Sequence, residues 1–327
     1  ILPFEQGIAG SNIRNLVIAP EGRMFLVPFE VLLHDKKFLS DRFCVSYVNS
    51  GRDLLRIPRP PRQTGDVVVF ADPDFTTQDA RLATNGSVGP TSRGARGLKL
   101  SYLPPLPGAR KEAAAIAELI PHARLYEGRS ATEERLFALR TPSILHIATH
   151  GLFFDASPQT VAEGSRSHFS IEDSVLVPSH PLLLSAIALA GAAAPWEKKE
   201  AQQDASDGIM TALEVSNLNL LGTQMVVLSA CNSGRGLVRR GQGVYGLRRA
   251  FLIAGAETLV TSLWKVDDEV TQLFMTEFYQ HLRKGEGRAE ALRHAQQAVR
   301  QNQAHPYYWA SFILIGQTRP LMGIPFR

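Results

Sequence analysis

An α/β fold, with a mostly parallel sheet covered on both faces by helices, is the architecture the sequence predicts. Three observations lead to it. Short apolar runs without polar alternation, at residues 67–71, 144–148 and 225–228, read as strands buried on both sides. Segments with apolar residues at helical spacing alternate with strand-like runs, as in a parallel sheet built through helical crossovers. Two of these runs, Ile144-Leu145-His146-Ile147-Ala148 and Met225-Val226-Val227-Leu228, end in small residues followed by a reactive side chain. In open α/β sheets the carboxyl edge of the strands is where sites form.

The elements follow in order. Leu16-Val17-Ile18 and Met24-Phe25-Leu26 flank Ala19-Pro20-Glu21-Gly22-Arg23, a hairpin signal. Residues 43–48 read as a further strand. The run Val67-Val68-Val69-Phe70-Ala71 is a buried strand stopped at Asp72-Pro73. Residues 75–101 are polar, rich in Gly, Ser and Thr, and predict a long loop. A helix over 109–120 follows from Ala113, Ile116, Ala117 and Ile120, and a second, over 132–139, starts at Thr132 as N-cap. After the 144–148 strand the pattern weakens. Residues 174–177 and 181–184 are candidate short strands, and 192–204 reads as a surface insertion. A helix near 211–218 precedes the 225–228 strand.

Residues 234–243 predict a loop rich in Gly and Arg. Val244, Leu247, Phe251 and Ala254 mark a helix closed by Gly255, and residues 257–263 form a strand. Val270, Phe274, Phe278 and Leu282 mark a helix stopped at Gly285, and Ala291, Leu292, Ala295, Ala298 and Val299 mark the next. Phe312-Ile313-Leu314-Ile315 is the last strand.

Composition narrows the class. The chain has 327 residues, 44% hydrophobic and 20% charged, which is ordinary for a globular protein with a large core. A net charge of +4 with scattered Lys and Arg gives no nucleic-acid footprint. No apolar run reaches the length of a membrane span, and no secretory signal opens the chain, which reads as a piece of a longer protein. Two cysteines, Cys44 and Cys231, do not make a disulfide framework and point to a reducing, cytoplasmic setting.

Cys231 stands just past the second strand, in Ser229-Ala230-Cys231-Asn232-Ser233-Gly234. A thiol on a tight turn, with Gly234 leaving room for substrate, is the layout of a nucleophile; the plain alternative is a small core residue. His150 stands just past the first strand, flanked by Thr149 and Gly151, where an imidazole can exchange a proton with a thiol or a leaving amine. His146 on the same strand is expected to pack inside. The N–H groups of Gly151 and Cys231 are candidate oxyanion donors. No carboxylate stands out to orient His150, so a backbone carbonyl is expected in that role, giving a dyad. Metal binding fits this site badly: His146 and His150 lie on a strand, and Cys-x-x-Cys and His-Glu-x-x-His are both missing. Gly241-Gln242-Gly243-Val244-Tyr245-Gly246 follows a polar loop rather than a strand, so it is not read as a dinucleotide fingerprint.

Together these segments resemble the CHAT domain, a caspase-like group of cysteine peptidases related to separase. The resemblance is carried by Ala19-Pro20-Glu21-Gly22, Val27-Pro28-Phe29-Glu30, Leu145-His146-Ile147-Ala148-Thr149-His150-Gly151 and Val227-Leu228-Ser229-Ala230-Cys231-Asn232-Ser233-Gly234. It continues through Gly241-Gln242-Gly243-Val244, Ser262-Leu263-Trp264-Lys265-Val266-Asp267-Asp268 and His305-Pro306-Tyr307-Tyr308-Trp309-Ala310. It implies a caspase-like fold with a degenerate, pseudo-caspase-like first part at 1–105 and an active part at 106–327. It also implies His150 and Cys231 as the dyad, no cofactor, a protein substrate and an upstream array of TPR-type helical repeats. Conditional bacterial proteases, some in antiviral defence, are the functional setting it suggests. One departure is the spacing: His150 and Cys231 are 81 residues apart, against about fifty in caspases.

The resulting expectation is an endopeptidase working through a thioester. The alternatives are a catalytically silent scaffold that binds a partner and a transpeptidase using the same thioester. Asp267 and Asp268 are expected at the sheet edge near Cys231. By resemblance to separase-like sites, Asp268 lines a pocket for a basic side chain before the cut, as a buried carboxylate without an internal cation. The plain alternative is an N-cap for the following helix.

Overall fold

The computed structural model describes residues 12–55, 65–76, 103–153, 181–193, 206–232 and 242–327. Its centre is an eight-stranded sheet built from β1 (Asn15–Ile18), β4 (Cys44–Tyr47), β5 (Val67–Pro73), β6 (Arg124–Gly128), β7 (Ile144–Ala148), β11 (Met225–Leu228), β13 (Thr258–Ser262) and β14 (Phe312–Gly316). The spatial order is β1-β4-β14-β13-β11-β7-β5-β6. Every neighbouring pair is parallel except β13 with β14. A small hairpin, β2 (Leu33–His34) and β3 (Lys37–Phe38), stands apart.

Side-chain alternation puts two cores on the two faces of this sheet. One face carries Val68, Phe70, Leu145, Ile147, Val226, Leu228 and Leu259. The helices α3 (Glu133–Phe137), α4 (Ala212–Val215) and α5 (Gln242–Ile253) cover it, through residues that include Leu136, Val215 and Phe251. The other face carries Val67, Val69, Ile144, Met225, Val227 and Val260. It is covered by α2 (Pro107–Leu119), α6 (Asp268–Arg283), α7 (Arg288–Asn302) and α8 (Pro306–Trp309). The central strands, apolar on both faces, are buried throughout, which explains their continuous apolar runs. Among the described residues no helix is long and apolar enough to cross a membrane.

A second sheet has the order β10-β9-β8-β12, from β8 (His150–Phe153), β9 (Ser185–Ala188), β10 (Ile209–Thr211) and β12 (Cys231–Asn232). Sequence patterning alone did not separate it: β9 and β10 are short, and β8 follows β7 after Thr149 alone. The Thr149 hydroxyl donates to the Ala188 carbonyl at that step, tying the bend to β9.

Several sequence expectations change. The hairpin at 16–26 does not form: β1 pairs in parallel with β4, and Gly22–Leu26 is a 3-10 turn. Non-local pairing with a strand some thirty residues away outweighs the local turn signal. The 181–184 strand is a 3-10 turn at Pro181–Leu183, with the true strand just after it. The 75–101 loop lies almost wholly outside the described residues, as do the 174–177 strand, most of the 192–204 insertion and most of the 234–243 loop. Thr132 is the N-cap of α3, accepting from the Arg135 N–H. The strands of 1–105 and of 106–327 share one sheet, with β5 lying between β7 and β6.

One short helical turn, α1 (Leu39–Arg42), leads into β4. Beside it Tyr47 is buried and donates to Glu30 Oε2 at 2.5 Å, while the Phe29 N–H donates to the Tyr47 oxygen at 2.7 Å. Burial pushes the Glu30 carboxyl up to about 7, against the opposing pull of the Tyr47 hydrogen bond.

Candidate active site

β7 and β11 are neighbours in the main sheet, and both chains cross into the second sheet as neighbours. In the main sheet Leu228 pairs with Ile147; in the second, Cys231 pairs with His150 and Asn232 with Gly151. The register passes through the bend unchanged, and the Ser229 N–H to Ile147 carbonyl bond at 2.9 Å bridges it. Residues 149–150 and 229–231 therefore leave the carboxyl edge side by side. β12 is described by its backbone, and the Cys231 backbone sits directly opposite that of His150 in a parallel ladder.

His150 is buried, 3% exposed, against the Phe75 ring at 5.1 Å between centroids. Its Nε2 lies 2.8 Å from the Pro104 carbonyl oxygen. A carbonyl can only accept, so this contact places the proton of the neutral imidazole on Nε2 and leaves Nδ1 as the basic nitrogen. The expected backbone carbonyl is thus in place. Burial lowers the His150 pKa below the ordinary imidazole value; the Pro104 hydrogen bond opposes this, Lys265 adds to it and Asp268 opposes it. The side chain is consequently neutral, and able to accept a proton, at neutral pH.

Pro104 is itself positioned by the end of β5. Asp72 is buried with φ at +43°; its Oδ1 accepts from the Leu106 N–H at 2.7 Å, and its Oδ2 pairs with Arg110 at 2.9 Å. This fixes the residues that enter α2, and with them the carbonyl that holds His150. In the sequence Asp72-Pro73 reads only as a strand stop and 103–108 only as a lead-in; a carbonyl contact between distant segments leaves no side-chain signature.

A cavity of about 40 Å³ adjoins His150, lined by Thr149, Ser229, Glu112, Lys265, Asp268 and Gly108 among others. The amino ends of α2 and α6 meet on it. Gly108 makes that approach possible: a Cβ there would lie 2.4 Å from Asp268 Cβ. Below the cavity Glu112 is buried and its Oε2 accepts from the Ser229 hydroxyl at 3.1 Å. Glu112 Oε1 lies 3.0 Å from His146 Nε2, but neither atom is aligned for a hydrogen bond, so the Ser229 contact is the better defined one. His146 Nδ1 is 3.1 Å from the Tyr279 hydroxyl, and the ring is wholly buried, as expected for an internal histidine.

The two aspartates separate. Asp267 is the N-cap of α6, accepting from the Glu269 N–H at 2.9 Å. Asp268 lines the cavity with His150. The expected burial and lack of a cation need correction: both aspartates are exposed, and Lys265 lines the same cavity as Asp268.

A family model described as the CHAT domain matches residues 1–317. This chain belongs to the CHAT domain family. Its sequence is similar to tetratricopeptide repeat protein 28 of Homo sapiens, 29% identical over 345 residues, and to the Mus musculus protein of that name, 28% identical over 350 residues. Each alignment covers 97% of this CHAT domain but only 13% of the relative, so the chain spans about an eighth of their length. Among solved structures it is similar to the Arg-specific cysteine proteinase gingipain R, with a TM-score of 0.52, 8% identity, and coverage of 98% of this chain and 67% of that one. RgpB of Porphyromonas gingivalis, in complex with its pro-domain, gives a TM-score of 0.51 at 9% identity, covering 98% and 68%. At such identities the likeness is one of fold: the CHAT domain here has the caspase-like arrangement.

Proposed function

We propose that this CHAT domain is a cysteine endopeptidase in which Cys231 and His150 form the dyad. The observation that carries this reading is the in-register pairing of the Cys231 backbone with that of His150, beside an imidazole whose Nε2 is committed to Pro104. In the proposed reaction the Cys231 sulfur attacks the scissile carbonyl, with its proton passing to His150 Nδ1. The tetrahedral oxyanion is met by the N–H groups of Gly151 and Cys231, each such donor typically lowering the barrier by about 3 kcal/mol. Collapse expels the amine, which takes the proton from His150 and leaves a thioester. His150 then removes a proton from water, which attacks the thioester and releases the acid and the thiol.

Within this reading residues 1–105 are a non-catalytic part that completes the sheet, and 106–327 carry the chemistry. A basic residue before the cut is taken by Asp268, whose place on the cavity wall beside His150 supports it. Asp267, engaged as N-cap, supports the pocket through the helix end. The similarity to tetratricopeptide repeat proteins supports an adjoining repeat region that controls access to a protein substrate. A conditional role in bacterial defence or signalling, in the cytoplasm and without nucleic-acid contact, is the setting that the family resemblance supports.

The test is a mechanism-based thiol probe with product analysis. Labelling at Cys231, prevented by Cys231→Ala and slowed by His150→Ala, together with hydrolysed peptide products, is the expected result. Labelling with only ligated products would establish the transpeptidase. Failure of both labelling and cleavage in the full-length protein would leave the silent scaffold.

A further inference from the structure

Away from the cavity, α6 ends and α7 begins around a tight turn. His281 lies in the last turn of α6, Glu286 in the connection and His294 two turns into α7. Glu286 stands between the two imidazoles: Oε1 is 2.8 Å from His281 Nδ1 and Oε2 is 2.7 Å from His294 Nδ1. The rings are 4.5 Å apart, centroid to centroid. Among the described residues, this is the one group of three His, Cys, Asp or Glu side chains whose donor atoms all lie within 4.8 Å of one another.

Local structure builds this convergence. Gly285 has φ at +81°, and its N–H returns to the Leu282 carbonyl. That left-handed turn brings Glu286 back over the carbonyl end of α6, where the helix dipole favours positive charge. The side chains are 16%, 22% and 30% exposed, enough for an ion to enter and for a water to complete its shell.

We propose that His281, Glu286 and His294 form a binding site for a divalent transition ion of the zinc class, with two imidazole nitrogens, one carboxylate oxygen and one water. Two nitrogens and an oxygen with an open fourth position is a common tetrahedral zinc set. At zinc bond lengths the ligand atoms stand about 3.3 Å apart, so the imidazole on the bound carboxylate oxygen moves off it by roughly half an ångström, while the other imidazole leaves the second oxygen for the ion. Binding at Nδ1 moves the proton of each neutral imidazole to Nε2 and clamps the α6–α7 turn. Asp268, at the other end of α6, lies roughly 20 Å from His281 along the helix, so this site is separate from the cavity.

The experiment uses the chain carrying Cys231→Ala, which removes the thiol as a competing ligand, titrated with Co²⁺ and followed by its visible d–d absorption. One equivalent should bind and be displaced by Zn²⁺. In the same background His281→Ala, His294→Ala and Glu286→Gln should each weaken binding by more than about tenfold, while His150→Ala should leave it unchanged. Zn²⁺ should raise the melting temperature of the parent and not of Glu286→Gln, which keeps the shape of the side chain. A parent without a stoichiometric Co²⁺ spectrum, variants that bind as the parent does, or loss of binding in His150→Ala would each overturn the proposal.

Discussion

Cys231 and His150 occupy opposed positions of one parallel strand pair, at the register that already joins Leu228 to Ile147 in the main sheet. The approach of the two reactive residues is therefore inherited from the core, where β7 and β11 are buried on both faces. A one-residue slip would reverse every core side chain on one strand, so the packing protects the pairing at the site.

Removing either member of the pair should leave the fold intact and the chemistry lost. Cys231→Ala should abolish cleavage, and His150→Ala should lower kcat/KM by orders of magnitude with an unchanged circular dichroism spectrum. Iodoacetamide should label Cys231 and spare Cys44, whose thiol is buried in β4 and raised in pKa by that burial. Peptide mapping after limited alkylation checks this, and cleavage by Cys231→Ala would refute the assignment.

The pH profile should carry the signature of a buried imidazole. Burial first, and Lys265 second, disfavour the charged form of His150. The acid limb of kcat/KM should therefore fall below the ordinary histidine value of about 6.5. Lys265→Met should move that limb to higher pH and Asp268→Asn to lower pH. Movements of the opposite sign in profiles of the two variants would exclude His150 as the titrating base.

Asp268 should matter to specificity and Asp267 to stability. Asp268→Asn should reduce kcat/KM for peptides with Arg or Lys before the cut more than for neutral ones. Asp267→Ala should cost about 1 kcal/mol of stability through the lost cap, with the preference retained. Gly108→Ala, which forces its Cβ against Asp268, should disturb the same preference. A peptide library that favours Asp or an apolar residue at that position would count against the acidic wall while leaving the dyad standing.

Glu112→Ala should destabilise by about 1–3 kcal/mol, because the buried Ser229 hydroxyl loses its acceptor. Ser229 stands two residues before Cys231, so activity should fall further than stability alone accounts for. Denaturant unfolding alongside kinetics separates the two effects, and equal losses would limit Glu112 to a structural role.

Glu30 should make stability depend on pH in an unusual direction for a carboxylate. Its folded pKa of about 7 lies above the unfolded value of about 4.3, so the native state binds the proton more tightly. The stability this contributes is fully present below about pH 4.3 and is lost as pH rises through about 7, by roughly 3–4 kcal/mol. Glu30→Gln should remove that decline and be the more stable form at pH 8. Parallel melting curves at pH 5 and pH 8 test it, and a constant difference between the two proteins would contradict it.

What the sequence determined by itself was the part written in local pattern. The apolar runs at Ile144–Ala148 and Met225–Leu228 announced central strands, because a strand buried on both faces has no polar alternation. Phe274, Phe278 and Leu282, with Gly285 behind them, announced α6 and its end, because one helix face must meet the sheet. His150 and Cys231 stood out for the same reason, as reactive residues just past such strands. Only the tertiary structure decided what depends on pairing between distant segments. It moved β1 from a hairpin to a parallel partner of β4, and it gathered β8, β9, β10 and β12 into a second sheet. It brought the Pro104 carbonyl to His150 and set Lys265 and Asp268 on one cavity wall. It also joined His281 and His294 through Glu286. A backbone carbonyl has the same chemistry at every residue, and a carboxylate becomes a pocket wall or a bridge only when another element is packed against it. Local residue identity therefore marks strands, helices and nucleophiles, whereas the packing of the chain selects their partners.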